Sequence, residues 1–115
     1  MIYQGTSRLQ SLINKCRSKA DFTHKLTEST SNYVVGHKSI YVGKNPSMDD
    51  TLRDALKYYS EVGWYDSIGG WMDYDGMYYI DANIHISSLE MAKAVGKTFK
   101  QKAIYDIKNE KGIML

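Results

Sequence analysis

Apolar and polar residues alternate most regularly in residues 67–86, which predicts two strands joined by a tight turn. Asp75-Gly76 is the expected turn, because glycine adopts a positive φ without steric cost. In the strand after the turn, one predicted face is apolar and consists of Tyr78, Ile80, Ala82, Ile84 and Ile86. The other face is polar and consists of Tyr79, Asp81, Asn83 and His85. A strand with one apolar face needs a covering layer, and the flanking sequences are predicted to supply it.

Three helices are predicted from apolar residues that recur at spacings of three and four. Their expected bounds are Thr6 or Ser7 to about residue 20, residues 48 to about 61, and Ser87 to about residue 100. Ser87 and Glu90 have the spacing of a capping box, which favours a helix start at Ser87. Gly63 is placed to end the second helix in a left-handed cap. The second and third helices are expected to cover the apolar face of the central hairpin.

Further strands are predicted on both sides of this hairpin. Residues 21–32 are rich in Thr and Ser and are interpreted as a polar connection. Residues 33–35 and 39–42 form either a small hairpin or one strand interrupted by a bulge at Gly36. Residues 103–107 are expected to form a last strand, parallel to residues 77–86 through a right-handed crossover, and the apolar tail 112–115 is expected to pair or dock.

These elements predict one α+β domain over residues 1–115. Its sheet is mostly antiparallel, with the central hairpin (about 67–86) covered on one face by two or three helices. The net charge of +2 is too small to imply a nucleic-acid partner by itself. Lysines concentrate near both ends and acids in the middle, a pattern that favours a solvated surface over self-association or an anionic partner.

The one cysteine, Cys16, excludes an internal disulfide and lies in an apolar helical stripe, so we expect a buried hydrophobic side chain in a reducing compartment. Apolar runs of about 20 residues and a signal-peptide pattern are both missing from the sequence, which favours a cytosolic protein without a membrane partner.

Candidate binding residues lie on the polar strand face and beside Gly69-Gly70. They are Trp64, Tyr65, Trp71, Tyr79, Asp81, Asn83 and His85. An acid, an amide and an imidazole on one strand face form either a ligand site or a plain solvent-facing surface, and the plain surface is the favoured interpretation. Paired glycines in a strand indicate a bulge or close packing on bare backbone, and the nearby aromatic residues suggest a shelf for a nucleobase or a protein side chain.

Sequence motifs for catalysis and for metal binding are missing. Part of a calcium-binding loop is matched by Asp73, Asp75 and Gly76. The twelfth position of such a loop requires a bidentate acid, and Ile84 occupies it here, so a hairpin turn is the better explanation. The three histidines are too widely spaced to form a recognisable site. We therefore predict a protein that is not an enzyme, with no metal, no cofactor and no catalytic residue.

Residues 67–107 resemble small uncharacterised proteins of bacterial viruses. The pattern is a Gly-Gly-Trp-x-Asp hairpin, then Tyr-x-x-Asp, an Ala-rich helix and Gln-x-Ala-Ile-x-Asp. It is matched by Gly69, Gly70, Trp71, Asp73, Gly76, Tyr78, Asp81, Ala92, Gln101, Ala103, Ile104 and Asp106. The resemblance implies a phage protein that acts in the host cytoplasm by binding and inhibiting a host protein, such as a component of a defence complex. A protein that binds nucleic acid or a nucleotide signal is the alternative.

Overall fold

Three helices and six strands make up the parts of the chain that the computed structural model describes, residues 2–46 and 50–115. The helices are α1 (Ile2–Arg17), α2 (Asp50–Glu61) and α3 (Leu89–Thr98). The strands are β1 (Phe22–Lys25), β2 (Tyr33–Gly43), β3 (Ser67–Met72), β4 (Tyr78–Ile86), β5 (Ala103–Asp106) and β6 (Lys111–Met114). The predicted α+β class is confirmed.

All six strands belong to one antiparallel sheet with the order β1-β3-β4-β2-β5-β6. The prediction that residues 103–107 pair in parallel with residues 77–86 is wrong. Both edges of β4 are already occupied, by β3 on one side and β2 on the other, so β5 joins the sheet at the far edge of β2. There Tyr33 lies opposite Asp106 and Val34 opposite Tyr105.

The central hairpin of β3 and β4 is confirmed. Met72 lies opposite Tyr78, and the Asp73 N–H donates to the Met77 carbonyl at 2.8 Å. Gly76 has a φ of 85°, as a turn glycine requires. The Asp75 side chain accepts the Met77 N–H at 3.1 Å, so this acid stabilises the turn, as the hairpin-turn explanation predicts.

Two neighbouring segments differ from their predicted forms. Residues 33–43 form the single strand β2, with register shifts between Gly36 and Lys38 and between Ser39 and Tyr41, so the bulged-strand alternative is correct. Residues 21–32 are not only a connection, because β1 lies within them and pairs with β3. Pairing along the backbone makes β1 a strand although its side chains do not alternate.

The helix ends also shift from the predicted positions. α1 begins at Ile2 and ends at Arg17, earlier than predicted at both ends. The predicted start of the second helix falls on residues 47–49, which lie outside the described residues. Gly63 has a φ of 82° after α2, which confirms the predicted left-handed residue.

Ser88, and not Ser87, is the N-cap of α3. The Ser88 hydroxyl accepts the Met91 N–H at 3.2 Å, whereas the Ser87 hydroxyl lies 2.7 Å from the Ser31 hydroxyl. The predicted capping box at Ser87 is therefore wrong, because Ser87 is engaged by the segment that leads into β2.

Replacing Ser88 with alanine is expected to lower the free energy of unfolding by about 1 kcal/mol, since the first turn of α3 loses its capping acceptor. The matched control is Ser87→Ala, which removes an exposed hydroxyl pair and should cost less than about 0.5 kcal/mol. Urea denaturation of both variants measures the difference. A larger loss for Ser87→Ala would contradict this assignment of the cap.

The helices pack on one face of the sheet, and the predicted apolar face of β4 supplies its centre. One core cluster joins α1 and α2 to the sheet. Its buried residues are Leu12, Ile13, Cys16, Leu52, Leu56, Ile68, Tyr78 and Ile80. A second cluster joins α3 and the tail to the sheet around Val35, Ala92 and Ile104, with Ile84 and Leu115 packed against it. The predicted cover of this face by the second and third helices is confirmed, and β6 confirms that the apolar tail pairs with the sheet.

Cys16 is fully buried in the first of these clusters. Burial raises the pKa of its thiol to about 11, and Lys15 lowers it only partly. A thiol with so little thiolate character acts as a small apolar side chain, as the sequence predicted.

Candidate functional site

Five of the seven candidate residues lie on the sheet face opposite the helices. Tyr79, Asp81, Asn83 and His85 alternate along β4, and each projects away from the buried row that contains Ile80. From the adjacent strand β3, Trp71 lies opposite Tyr79, Gly69 opposite Asp81, and Ser67 opposite Asn83. The antiparallel register therefore brings Trp71 to the polar row, which sequence spacing alone did not reveal.

The end of this row nearest the turn is aromatic and exposed. The Trp71 and Tyr79 rings are stacked, with centroids 4.5 Å apart and planes at 11°. Val42 of β2 lies opposite Tyr79 and is 47% exposed, and Tyr74 in the turn is 98% exposed. We define the tip patch as Val42, Trp71, Met72, Tyr74 and Tyr79, which cover the hairpin end of the sheet.

A lysine and several acids surround the tip patch. The Lys102 ammonium lies 6.0 Å from the centroid of the Tyr79 ring and 3.7 Å from the Asp73 carboxylate. Tyr79, and after it Asp73, raise the pKa of Lys102. The Asp21 carboxylate accepts the Met72 N–H at 3.0 Å, so Asp21, Asp73 and Asp75 all lie at this end of the molecule.

Asp81 lies next to the stacked pair and is half-buried. Desolvation raises the pKa of Asp81 from 3.8 to about 6, and the nearby Trp71 indole N–H lowers it only partly. Among the described residues, no Lys, Arg or His forms an ion pair with it. Gly69 stands opposite on β3, so no β3 side chain lies directly across from this carboxylate.

The far end of the row is a buried polar cluster. Ser67 is fully buried, and its hydroxyl lies 2.8 Å from His85 Nε2 and accepts the Asn83 amide N–H at 3.2 Å. In the described part of the chain, His85 Nδ1 has no hydrogen-bond partner. Desolvation lowers the pKa of His85, opposed by the nearby Asp66 carboxylate. The favoured interpretation of a plain solvent-facing surface is therefore wrong for Asn83 and His85.

The contact between Ser67 and His85 is not the start of a catalytic triad. A nucleophilic serine must reach its substrate, and Ser67 has no exposed surface. The histidine of a triad is oriented by an acid at its other nitrogen, and His85 Nδ1 contacts no acid among the described residues. The carboxylate of Asp66 instead accepts the backbone N–H of His85 at 2.8 Å.

Trp64 and Tyr65 do not join Trp71, so the predicted aromatic shelf beside Gly69-Gly70 is wrong. Tyr65 lies before the first residue of β3, Ser67, whereas Trp71 lies near the last residue of that strand. Trp64 is 77% exposed, whereas Tyr65 is buried against Tyr59 and His37. Phe22 and Tyr78 pack against the backbone of Gly70. This agrees with the predicted alternative in which paired glycines allow close packing on bare backbone.

Within residues 2–46 and 50–115, no group of three His, Cys, Asp or Glu side chains is arranged to hold a metal ion. In the same residues, no helix has both the length and the apolar character that crossing a membrane requires. No family model, curated protein or solved structure matches the chain.

Proposed function

We propose that this chain is a phage-encoded binding protein that inhibits a host protein, and that its target belongs to a bacterial defence system. The proposed origin rests on the phage-like pattern of residues 67–107, and the proposed site of action is the host cytoplasm. The binding surface that we propose is the tip patch. In this proposal the protein uses no cofactor and catalyses no reaction.

The exposed aromatic end of the sheet is the observation that supports this function. Trp, Tyr and Met are enriched at protein interfaces, and Trp and Tyr dominate binding hot spots. Trp71 and Tyr79 are already stacked in the unbound chain, so little conformational entropy is lost when they contact a partner. Tyr74 extends the same end of the molecule into solvent.

Distances along β4 argue against an enzyme that uses Asp81 and His85. The two residues are four positions apart on one strand, which corresponds to about 13 Å, so one reacting atom cannot contact both. His85 is also buried and engaged with Ser67. The pKa of Asp81, about 6, lies in the range of a general acid, but in the described part of the chain Asp81 forms no ion pair with a Lys, Arg or His.

The test is a plating assay in a bacterial host that carries a defence system. Expression of the chain should raise the plating efficiency of a phage that the system restricts, and a double substitution Trp71→Ala with Tyr74→Ala should reduce this gain at least about tenfold, since two anchor residues are lost. Trp64→Ala is the matched control, because Trp64 is more exposed than Trp71 but lies before β3, outside the tip patch. Thermal melting should show that all variants remain folded.

Two results would contradict the proposal. Equal loss for the Trp64 control would show that the tip patch is not the specific surface. Full inhibition by the folded double variant would exclude the tip patch from binding altogether. Capture of host proteins by the wild type and by the double variant, followed by mass spectrometry, would identify the target through its absence from the variant sample.

A protein that binds nucleic acid or a nucleotide signal is the second candidate. The stacked Trp71 and Tyr79 rings with Lys102 beside them provide an aromatic platform and a cation. However, Asp73, Asp75 and Asp81 surround the same platform and repel phosphate. Titration with a single-stranded oligonucleotide at low and high salt separates the two candidates. A nucleic-acid binder should bind it at low salt and lose affinity steeply as the salt concentration rises, whereas an inhibitor of a host protein should not bind it.

A further inference from the structure

We propose that the tip patch receives an arginine side chain of the partner, with the guanidinium paired to the Asp81 carboxylate and placed against the Trp71 ring. This inference rests on the proposed function and names the chemistry of the partner at the centre of the contact. It predicts that the surface of the target around this contact is basic.

Among the described residues, Asp81 forms no ion pair with a Lys, Arg or His. An ionised carboxylate has about four acceptor positions, and the Trp71 N–H is the one side-chain donor that lowers the pKa of Asp81. Half-buried carboxylates without a cation are costly, because desolvation is not offset by an ion pair. A cation brought by a partner would remove this cost, so binding is favoured.

Charges at the hairpin end of the molecule include both acids and lysines. Asp21, Asp73 and Asp75 lie there, and the Lys102 ammonium is 3.7 Å from the Asp73 carboxylate. Lys19 and Lys44 lie at the same end, where the Lys19 ammonium donates to the Lys44 carbonyl at 3.0 Å. Asp81 is therefore the acid to which a basic side chain of the partner can add without displacing Lys102. Lys102 makes the same kind of contact within the chain, because its ammonium lies over the Tyr79 ring and beside the Asp73 carboxylate.

The surroundings of Asp81 favour arginine over lysine. Trp71 is 37% exposed, it shares a sheet face with Asp81, and its indole N–H is close enough to lower the pKa of that acid, so an exposed aromatic surface lies near the carboxylate. A guanidinium is planar, stacks on an indole and bonds a carboxylate through two N–H groups at once. An ammonium is a point charge that can satisfy only one of these two contacts well.

The experiment is an NMR titration of the full isotope-labelled chain with N-acetyl-arginine amide, and with N-acetyl-citrulline amide as the neutral analogue of the same shape. The arginine compound should shift the Trp71 indole N–H signal in a saturable way, with a Kd on the order of millimolar, while the citrulline compound does not. Asp81→Asn should abolish the effect. Asp75→Asn, which removes one nearby charge but can keep the turn, should weaken it about twofold at most.

A second arm uses pH. Lowering the pH from about 7.5 to about 4.5 should weaken binding of the arginine compound at least about fivefold, because Asp81 becomes protonated. The other charged groups at this end of the described chain include Asp21, Asp73, Asp75, Lys19, Lys44 and Lys102, and the Asp81→Asn chain titrated in parallel reports their contribution.

Three outcomes would overturn the inference: equal binding of the citrulline compound, unchanged binding to Asp81→Asn, or no saturable shift at Trp71 up to about 50 mM. A concentration-dependent dimer that is lost in Asp81→Asn would instead make a second copy of the chain the occupant, and would also overturn it. The outcome of the plating assay does not depend on the outcome of the arginine titration. If the double variant at Trp71 and Tyr74 loses inhibition while arginine does not bind, the proposed function stands and this inference falls.

Discussion

Replacing Gly70 with alanine is expected to lower the free energy of unfolding by about 3 kcal/mol, because the added methyl group overpacks a full core. A Cβ at Gly70 would collide with the Tyr78 hydroxyl and with the Phe22 ring. Tyr78 is fully buried, and its hydroxyl donates to the Ala20 carbonyl at 2.7 Å, so it cannot move without losing a hydrogen bond. For a small domain with an unfolding free energy of about 5–15 kcal/mol, this is a substantial loss.

Urea denaturation measures this effect, and Gly112→Ala is the matched control. A Cβ at Gly112 meets nothing within 4 Å, and this residue lies on the edge strand β6. The control should change the free energy of unfolding by less than about 0.5 kcal/mol. Similar losses for both variants would show that glycine content, and not the contact of Phe22 and Tyr78 with Gly70, determines the outcome.

Replacing Asp81 with asparagine is expected to stabilise the chain by on the order of 2 kcal/mol at pH 7 and to leave its stability nearly unchanged at about pH 3. The pKa of Asp81 rises from 3.8 to about 6 on folding. Below the lower value, both folded and unfolded chains are protonated at Asp81 and stability is unaffected. Between the two values, the folded chain binds more protons than the unfolded chain, so stability falls as the pH rises; above about 6 the full cost of the ionised carboxylate is present.

The measurement is the difference in unfolding free energy between Asp81→Asn and wild type as a function of pH, which cancels the titration of groups common to both chains. Asparagine retains an acceptor oxygen for the Trp71 N–H. Asp75→Asn is the control, because Asp75 is exposed and should give a difference that is small at every pH. A destabilised Asp81→Asn at pH 7 would mean that the carboxylate is already neutralised within the folded chain.

Together with the arginine titration, this stability measurement describes one physical trade-off. An acid that destabilises the isolated chain and strengthens its complex is typical of binding surfaces, where function limits stability. The Asp81→Asn chain should therefore be more stable and bind less well. A variant that gained stability without losing the arginine contact would separate the two effects.

The sequence predicted the features that local backbone chemistry and periodicity determine. Alternation along residues 78–86 correctly separated the buried row containing Ile80 from the row containing Asp81, because side chains of a strand project to opposite faces. The turn at Gly76 and the end of the second helix at Gly63 followed from the conformational freedom of glycine, and both have a positive φ.

Tertiary structure alone decided which neighbours those side chains have. Antiparallel register placed Trp71 beside Tyr79 and Ser67 beside Asn83. Trp64 and Tyr65 precede β3, and Tyr65 packs against Tyr59 of α2 and not against Trp71. Burial of His85 depends on the residues packed around it, so alternation alone made it look solvent-facing. Periodicity identifies the face of each strand, but strand order and register are set by which edges remain free for backbone pairing, and that is a property of the whole sheet.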